Sequence, residues 1–255
     1  MTVPFSKYQA TGNDFILIDN RNGSFKFTSE QIALLCQRKL GIGADGLILL
    51  QNHSQAHFEM VYFNADGKLG SFCGNGSRAA VLFAKQIGAV ASSFVTFSAY
   101  DGLHQAFLLS HAVRIQMNPY QHFKALNDHE FFLDTGSPHH VVFVDDIQNC
   151  PVIEKGKEIR NDDSYQPHGT NVDFVSIQND GIFVRTYERG VENETLSCGT
   201  GVTASAICYL LKNQKNTGEV KVFTLGGNLK VSVLSEKEIF LEGPVQQVFY
   251  GYVNI

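Results

Sequence analysis

Two cysteines occur in the same setting twice. Cys73 opens the turn Cys73-Gly74-Asn75-Gly76-Ser77-Arg78, and 125 residues later Cys198 opens Cys198-Gly199-Thr200-Gly201-Val202-Thr203. Behind each turn runs a stretch of mostly small or apolar residues, Arg78 to Ile87 and Val202 to Leu211, too continuous for an amphipathic surface helix. The pattern predicts two buried helices, each with a cysteine at its N-terminus. A helix start offers unpaired backbone N–H groups and the positive end of the dipole, which stabilise a thiolate and cradle an anion such as a carboxylate. Two such ends facing each other would hold one anion between two sulfur bases. A lone cysteine is usually a buried packing residue, but a matched pair of Cys-Gly-x-Gly turns argues for chemistry. Neither turn carries a second Cys or His at a ligand interval, which argues against zinc. A Cys-x-x-Cys redox pair is absent. The interval from Cys73 to Arg78 is one residue short of a cysteine-phosphatase loop, and the second copy has no arginine. What remains is acid/base work by thiolates.

The elements that must position these cysteines are also duplicated. Thr11-Gly12-Asn13-Asp14-Phe15 opens a strand-like run, Ile16 to Asp19, and Thr135-Gly136-Ser137-Pro138-His139 opens another, Val141 to Val144. Asn64-Ala65-Asp66-Gly67 closes the run Phe58 to Phe63 shortly before Cys73, as Glu188-Arg189-Gly190 closes Phe183 to Tyr187 before Cys198. An ancient duplication explains this order better than a solenoid, whose periods are far shorter. The halves divide as 1–117 and 118–242, with a boundary in the polar passage Gln121 to Glu130. The final stretch, 243–255, could complete either half's sheet.

Further strands are expected at Leu47 to Leu50, Phe94 to Phe97, Leu103 to Leu109 and Val113 to Met117, then at Val172 to Ile177, Val220 to Thr224, Leu229 to Leu234 and Ile239 to Leu241. Ser29 to Leu40 reads as an amphipathic helix capped by Thr28 or Ser29 and stopped by Gly41. Asp145 to Asp163 reads as a charged, mobile loop. The glycine-rich Gly41-Ile42-Gly43-Ala44-Asp45-Gly46 lacks the Lys-Ser/Thr of a phosphate loop and leads into a strand. Cys36 and Cys208 fall on apolar helix faces and read as core, Cys150 as a loop bystander. Asn13, Asn64 and Asn171 lie at turns or strand ends near the motifs, where Asn serves equally as a turn residue or a ligand contact. Glu188 and Arg189, an acid and a base at one strand end, can face an ammonium and a carboxylate. His139 lies in the second Thr-Gly turn, while His140 continues the strand.

Composition bounds the partners. The chain of 255 residues is 44% hydrophobic and 18% charged, the balance of a globular fold with a substantial core. A formal charge of −5 without a Lys/Arg block argues against nucleic acid or an anionic membrane as a main partner. No apolar run approaches the roughly 20 residues that span a bilayer, and the first residues lack the apolar core of a signal peptide. Five cysteines, an odd number without a close-set framework, fit a reducing compartment. The chain reads as soluble and cytoplasmic.

Taken together, these motifs resemble diaminopimelate epimerase over the whole length. The resemblance rests on Thr11 to Phe15, Gly41 to Gly46, Phe63 to Gly67, Cys73 to Arg78, Gly136 to His139, Gly169-Thr170-Asn171-Val172, Glu188 to Gly190 and Cys198 to Gly201. It implies an α/β (α+β) protein of two pseudo-symmetric domains, each a curled mixed β-sheet around a central helix, with the active site in the cleft between them. It also implies a homodimer, no cofactor, and conversion of LL- to meso-diaminopimelate for lysine and peptidoglycan synthesis.

By motif position, the resemblance makes Cys73 and Cys198 the two bases and gives the reacting carboxylate to the amides of Gly74, Asn75, Gly199 and Thr200. It gives the distal end of the substrate to Asn13, Asn64, Asn171 and Arg189, and the reacting ammonium to Glu188, with His139 in support. Ser137 stands where many members have Asn, and Gly46 where some have Gln. A proline racemase or hydroxyproline epimerase would also use paired thiols but would have no need of Asn64, Asn171 and Arg189. A non-catalytic redox-sensing dithiol module is the alternative outside enzymes.

Overall fold

The computed structural model describes residues 1–255. The chain forms two compact units, Met1–Ile115 with Gly243–Ile255, and Gln116–Glu242. The first contains β1 (Thr2–Ala10), β2 (Asn13–Asp19), α1 (Ser29–Cys36), β3 (Gly46–Gln51), β4 (Phe58–Asn64), α2 (Gly74–Gln86), β5 (Phe94–Ala99), β6 (Gly102–Leu108) and most of β7 (Val113–Met117), within which the boundary falls. The second contains β8 (Gln121–Ala125), β9 (Glu130–Asp134), β10 (Pro138–Phe143), α3 (Val152–Arg160), β11 (Asn171–Gln178), β12 (Gly181–Glu188), β13 (Asn193–Thr195), α4 (Gly199–Lys212), β14 (Gly218–Thr224), β15 (Gly227–Val233) and β16 (Ile239–Gly243). The last strand, β17 (Gln246–Asn254), returns to the first unit and pairs antiparallel with β1.

The two units repeat one ladder. In the first, neighbours run β17, β1, β2, β3, β4, β5, β6, β7, and only the pairs β2–β3 and β4–β5 are parallel. In the second they run β8, β9, β10, β11, β12, β14, β15, β16, and only β10–β11 and β12–β14 are parallel. Each parallel step needs a crossover, and a helix supplies it: α1 and α2 in the first unit, α3 and α4 in the second. Helix α2 packs on β1, β2, β3, β4 and β6, and α4 on β9, β10, β11, β12, β14 and β15. One helix reaches so many strands because the sheet curls around it. Phe15, Ile16, Leu17 and Ile18 are all buried, since α1 covers one face of β2 and α2 the other. Strands covered on both faces read as continuous apolar runs rather than alternating ones.

Several sequence expectations change. Helix α1 carries the Thr28 capping box but ends at Cys36, so Gln37 to Leu40 are outside it and Leu40 is exposed. The chain folds back tightly there: Gly41 N–H donates to Gln37 O at 2.8 Å, and a Cβ at Gly41 would overlap the Leu34 carbonyl. The polar passage Gln121 to Glu130 is not a linker but β8 and the start of β9. Strand β8 is exposed along its whole length, so it has no apolar face to betray it. Asp145 to Asp163 contains α3, which buries only Val152 and Gly156. Cys150 is not a bystander; it packs with Ile147, Val152, Val172, Phe174 and Tyr187. No helix is long and apolar enough to cross a membrane.

Candidate active site

Cys73 is the N-cap residue of α2, with extended backbone (φ −122°, ψ 107°). Its sulfur accepts from Gly76 N–H at 3.3 Å, so the thiol sits where a Ser or Asp cap would and meets the same orphan donor. Asn13 reaches it from the start of β2, its Oδ1 4.0 Å from Sγ and 3.3 Å from Asn75 Nδ2. Asn13 is fixed in turn by Asp45, which accepts from Asn13 Nδ2 at 2.7 Å. The turn before it is left-handed, with Thr11 at φ 50° and Gly12 at φ 84°. Below the helix start, Arg78 Nη2 donates to Asn75 Oδ1 at 2.9 Å and Thr11 Oγ1 at 3.2 Å. Phe72 stacks on His104 with ring centroids 4.2 Å apart, and His104 meets Asp101 at 2.8 Å.

The register of β2, β3 and β4 sets Gly46 opposite both Phe15 and Asn64. Asn64 therefore shares the sheet end that carries Asn13, with its side chain exposed. A Cβ at Gly46 would lie 2.5 Å from Tyr62 Cε2, so a longer side chain has no room there in this chain.

Cys198 is the N-cap residue of α4, with similar extended backbone (φ −114°, ψ 115°) but no side-chain cap bond of the kind Cys73 makes, and its Sγ lies 3.4 Å from Thr200 Oγ1. Thr135, in the second Thr-Gly turn, donates to Thr200 O at 3.1 Å and ties that turn to the helix start. Burial pushes the Cys198 thiol well up, and the charges of Glu188 and Asp173 push the same way against the Thr200 hydroxyl and Gly201 N–H. Asp173 is fully buried on β11. It accepts from Thr186 Oγ1 at 2.6 Å and meets His139 Nδ1 at 2.7 Å. His139 is itself fully buried and reaches α4 through Asp173, whose carboxylate lies against Gly201. Its Nε2 has no hydrogen-bond partner.

Arg189, Asn171 and Ser137 form a second cluster. Asn171 donates to Ser137 Oγ at 2.8 Å and Pro138 O at 2.9 Å, and its Oδ1 accepts from Arg189 N–H at 2.9 Å. The Arg189 guanidinium meets the His168 and Gly169 carbonyls and Ser137 Oγ at 3.3–3.5 Å. These are long contacts to neutral groups, and they leave its fork able to accept a carboxylate. Glu188 is positioned by Thr195 Oγ1 at 2.9 Å. His140 instead bonds the Tyr165 hydroxyl at 2.7 Å.

Within the first unit the fold thus gathers Asn13, Cys73, Gly74 and Asn75, with Asn64 at the same sheet end. Within the second it gathers Cys198, Gly199 and Thr200 over His139, and Asn171 with Arg189 and Ser137. Sequence reasoning missed Asp173 and Arg78 as participants. Asp173 was detectable as a lone acid in the otherwise apolar Val172 to Val175, and Arg78 as a cation directly before the apolar run Ala79 to Ala84. No cluster of three His, Cys, Asp or Glu side chains is close enough to hold a metal ion.

The model of the family described as diaminopimelate epimerase matches twice, over residues 5–122 and 131–248. The chain is 46% identical to the diaminopimelate epimerase of Flavobacterium psychrophilum over 250 residues, covering 95% of this chain and 97% of that one. It is 41% identical to that of Chlorobaculum tepidum over 255 residues, covering 96% and 98%. The solved hydroxyproline epimerase of Agrobacterium vitis superimposes with a TM-score of 0.70 over 99% of this chain and 91% of that one. At 15% identity that likeness extends to the fold alone.

Proposed function

Because the chain belongs to the diaminopimelate epimerase family, we propose that it interconverts LL- and meso-diaminopimelate with Cys73 and Cys198 as paired acid and base. It is an isomerase of lysine biosynthesis. The observation that carries the two-base assignment is the occurrence of one cysteine-capped helix in each of two matched repeats. One thiolate takes the α-proton from one face of the substrate carbon, and the other sulfur, as a thiol, gives a proton to the opposite face. The sulfurs exchange roles in the reverse direction. The N–H groups of Gly74 and Asn75 and of Gly199 and Thr200, at the two helix starts, suit the reacting carboxylate and the charge that grows on it. Glu188 suits the ammonium. Arg189, with no carboxylate of its own, and Asn171 suit the distal carboxylate, assisted by Asn13 and Asn64. His139 holds its helix from below.

The reading extends to a cytoplasmic enzyme that works without a cofactor, supplies a peptidoglycan precursor and pairs as a homodimer. Strand β17 supports the last point, since Phe249, Tyr250 and Tyr252 are 46%, 77% and 75% exposed on one short segment, a surface suited to burial against a second copy.

Reduced protein given LL-diaminopimelate in D₂O and stopped early should yield meso product deuterated at the inverted carbon, and L-proline in a parallel run should stay unchanged. Substantially protiated meso product would rule out two separate bases. Racemisation of proline would favour the rival enzyme class.

A further inference from the structure

Helix α2 buries a cation for which the fold supplies no carboxylate. Arg78 is 0% exposed, and its Nη2 is satisfied by Asn75 and Thr11, while Nε and Nη1 are buried without a hydrogen-bond partner. It takes part in no ion pair with Asp or Glu. A guanidinium carries five donors in a fixed fork and, when buried, is normally met by a carboxylate or another anion. Burial pulls Arg78 down to about 10, and charge on Cys73 pulls it back up, so it remains a cation at neutral pH. A chain of contacts leads from it to the sulfur: Arg78 donates to Asn75 Oδ1, Asn75 Nδ2 to Asn13 Oδ1, and Cys73 Sγ to Asn13 Oδ1 at 4.0 Å, a long contact that a thiolate gives up while it keeps the bond from Gly76 N–H.

The corresponding place in the second repeat is Thr203, whose hydroxyl donates to Gly199 O at 2.9 Å. The buried charge beneath that helix has the opposite sign, the Asp173 carboxylate against His139. Burial and the nearby acids already disfavour a thiolate at Cys198.

We propose that Arg78 is a positioning residue that supplies the counter-charge for Cys73, so that the resting enzyme holds the Cys73 sulfur as thiolate and the Cys198 sulfur as thiol. This rests on the two-base reading and assigns the proton within it. The buried guanidinium then has a full negative charge within electrostatic reach in the resting state, and the enzyme starts each cycle from one defined protonation state instead of two.

The other ionisable groups on strands packed against α2 are already engaged or turned away. Lys7 of β1 pairs with Asp14 of β2 at 2.7 Å, Asp19 with Arg21, and His104 of β6 with Asp101. Tyr8 donates to Gln86, and Tyr62 packs on Phe15. Glu59 alternates with the buried Met60 and so points to the far face of β4. None offers Arg78 an alternative anion.

The test is alkylation of reduced, substrate-free protein by iodoacetamide across a pH series, with each cysteine followed separately by peptide mass spectrometry. Midpoints are compared, because rates also depend on exposure. The expected result is a lower midpoint for Cys73 than for Cys198. In Arg78→Met the Cys73 midpoint should rise by about one pH unit or more, a tenfold loss of thiolate at a fixed pH below it, with Cys198 unmoved. Arg78→Lys should restore most of the shift. A wild-type Cys198 midpoint at or below that of Cys73 overturns the proposal, as does an unmoved Cys73 midpoint in folded Arg78→Met. If Arg78→Met does not fold, the order of the two wild-type midpoints decides. The assay needs no turnover, so an inactive protein with the expected midpoints would count against the epimerase reading alone.

Discussion

The helices behind Cys73 and Cys198 begin with a cysteine in the same N-cap backbone conformation, belong to the same parallel crossover and lie on the same ladder of strands, yet what is buried beneath them differs in kind. In the first unit the third residue of β3, Ile48, approaches the helix start. In the second unit its counterpart on β11 is Asp173. The glycines record the difference: a Cβ at Gly76 would lie 3.1 Å from Met60 Cε and 3.2 Å from Ile48 Cδ1, whereas one at Gly201 would overlap the Asp173 carboxylate. The cation is likewise on one side only, Arg78 against Thr203. Duplication preserved the backbone ladder, because every strand needs its neighbour's hydrogen bonds. The polar groups under each helix were free to diverge into one positive and one negative environment. On the two-base mechanism proposed above, the chemistry is symmetric while the electrostatics are not.

The largest expected effect tests what the halves still share. Cys73→Ala and Cys198→Ala should each lower kcat/KM for epimerisation by about 100- to 10,000-fold, with circular dichroism unchanged. A variant of either cysteine with near-normal turnover would break the equivalence.

The next effect separates the halves. Gly201→Ala should cost up to about 3 kcal/mol of stability through overpacking against a buried carboxylate that cannot retreat. Gly76→Ala meets the flexible ends of Met60 and Ile48 and touches Cys73 Sγ at 3.4 Å, an ordinary contact, and the better helix propensity of Ala offsets about 1 kcal/mol of any cost. Urea unfolding of the two variants should therefore differ clearly. Equal losses would mean that the two helix starts are packed alike.

The smallest effect concerns an ion pair found in one half only. Burial alone would raise Asp14, but hydrogen bonds from Arg38 and Lys7 outweigh it and hold the carboxyl at about 2. An unfolded Asp titrates near about 3.9, so this carboxylate stabilises the fold above that pH, and the contribution is lost as pH falls through about 2. Asp14→Asn should cost about 2 kcal/mol at neutral pH, and the gap between variant and wild type should close in strong acid. The corresponding place in the second repeat is Pro138, which cannot contribute. A gap independent of pH would show that the loss is one of packing.

How far the sequence could be read follows from the same physics. The cysteine turns were legible because glycine spacing and an apolar run leave few alternatives. The duplication was legible because the Thr-Gly turns need left-handed backbone, as at Gly12 and at Gly136 with φ 95°. Helix α3 was hidden because its packing depends on Gly156, where any Cβ would overlap the Tyr187 ring, and a glycine contributes no apolar stripe. Strand β1 was hidden by Pro4 and by Lys7, a cation buried on the core side through Asp14 and the Gly43 carbonyl. Asp173 and Arg78 escaped notice for a related reason: a charge in an apolar run looks like an interruption until its buried partner, or the lack of one, is visible.

Strand β17 has a consequence for synthesis. It is the outer neighbour of β1 throughout the pairing from Thr2 to Gln9, yet the whole second unit is translated between them. On the ribosome the first repeat must therefore wait, with an open edge at β1, while the second repeat emerges and closes its own ladder. An incomplete nascent chain therefore cannot present a finished Cys73 half.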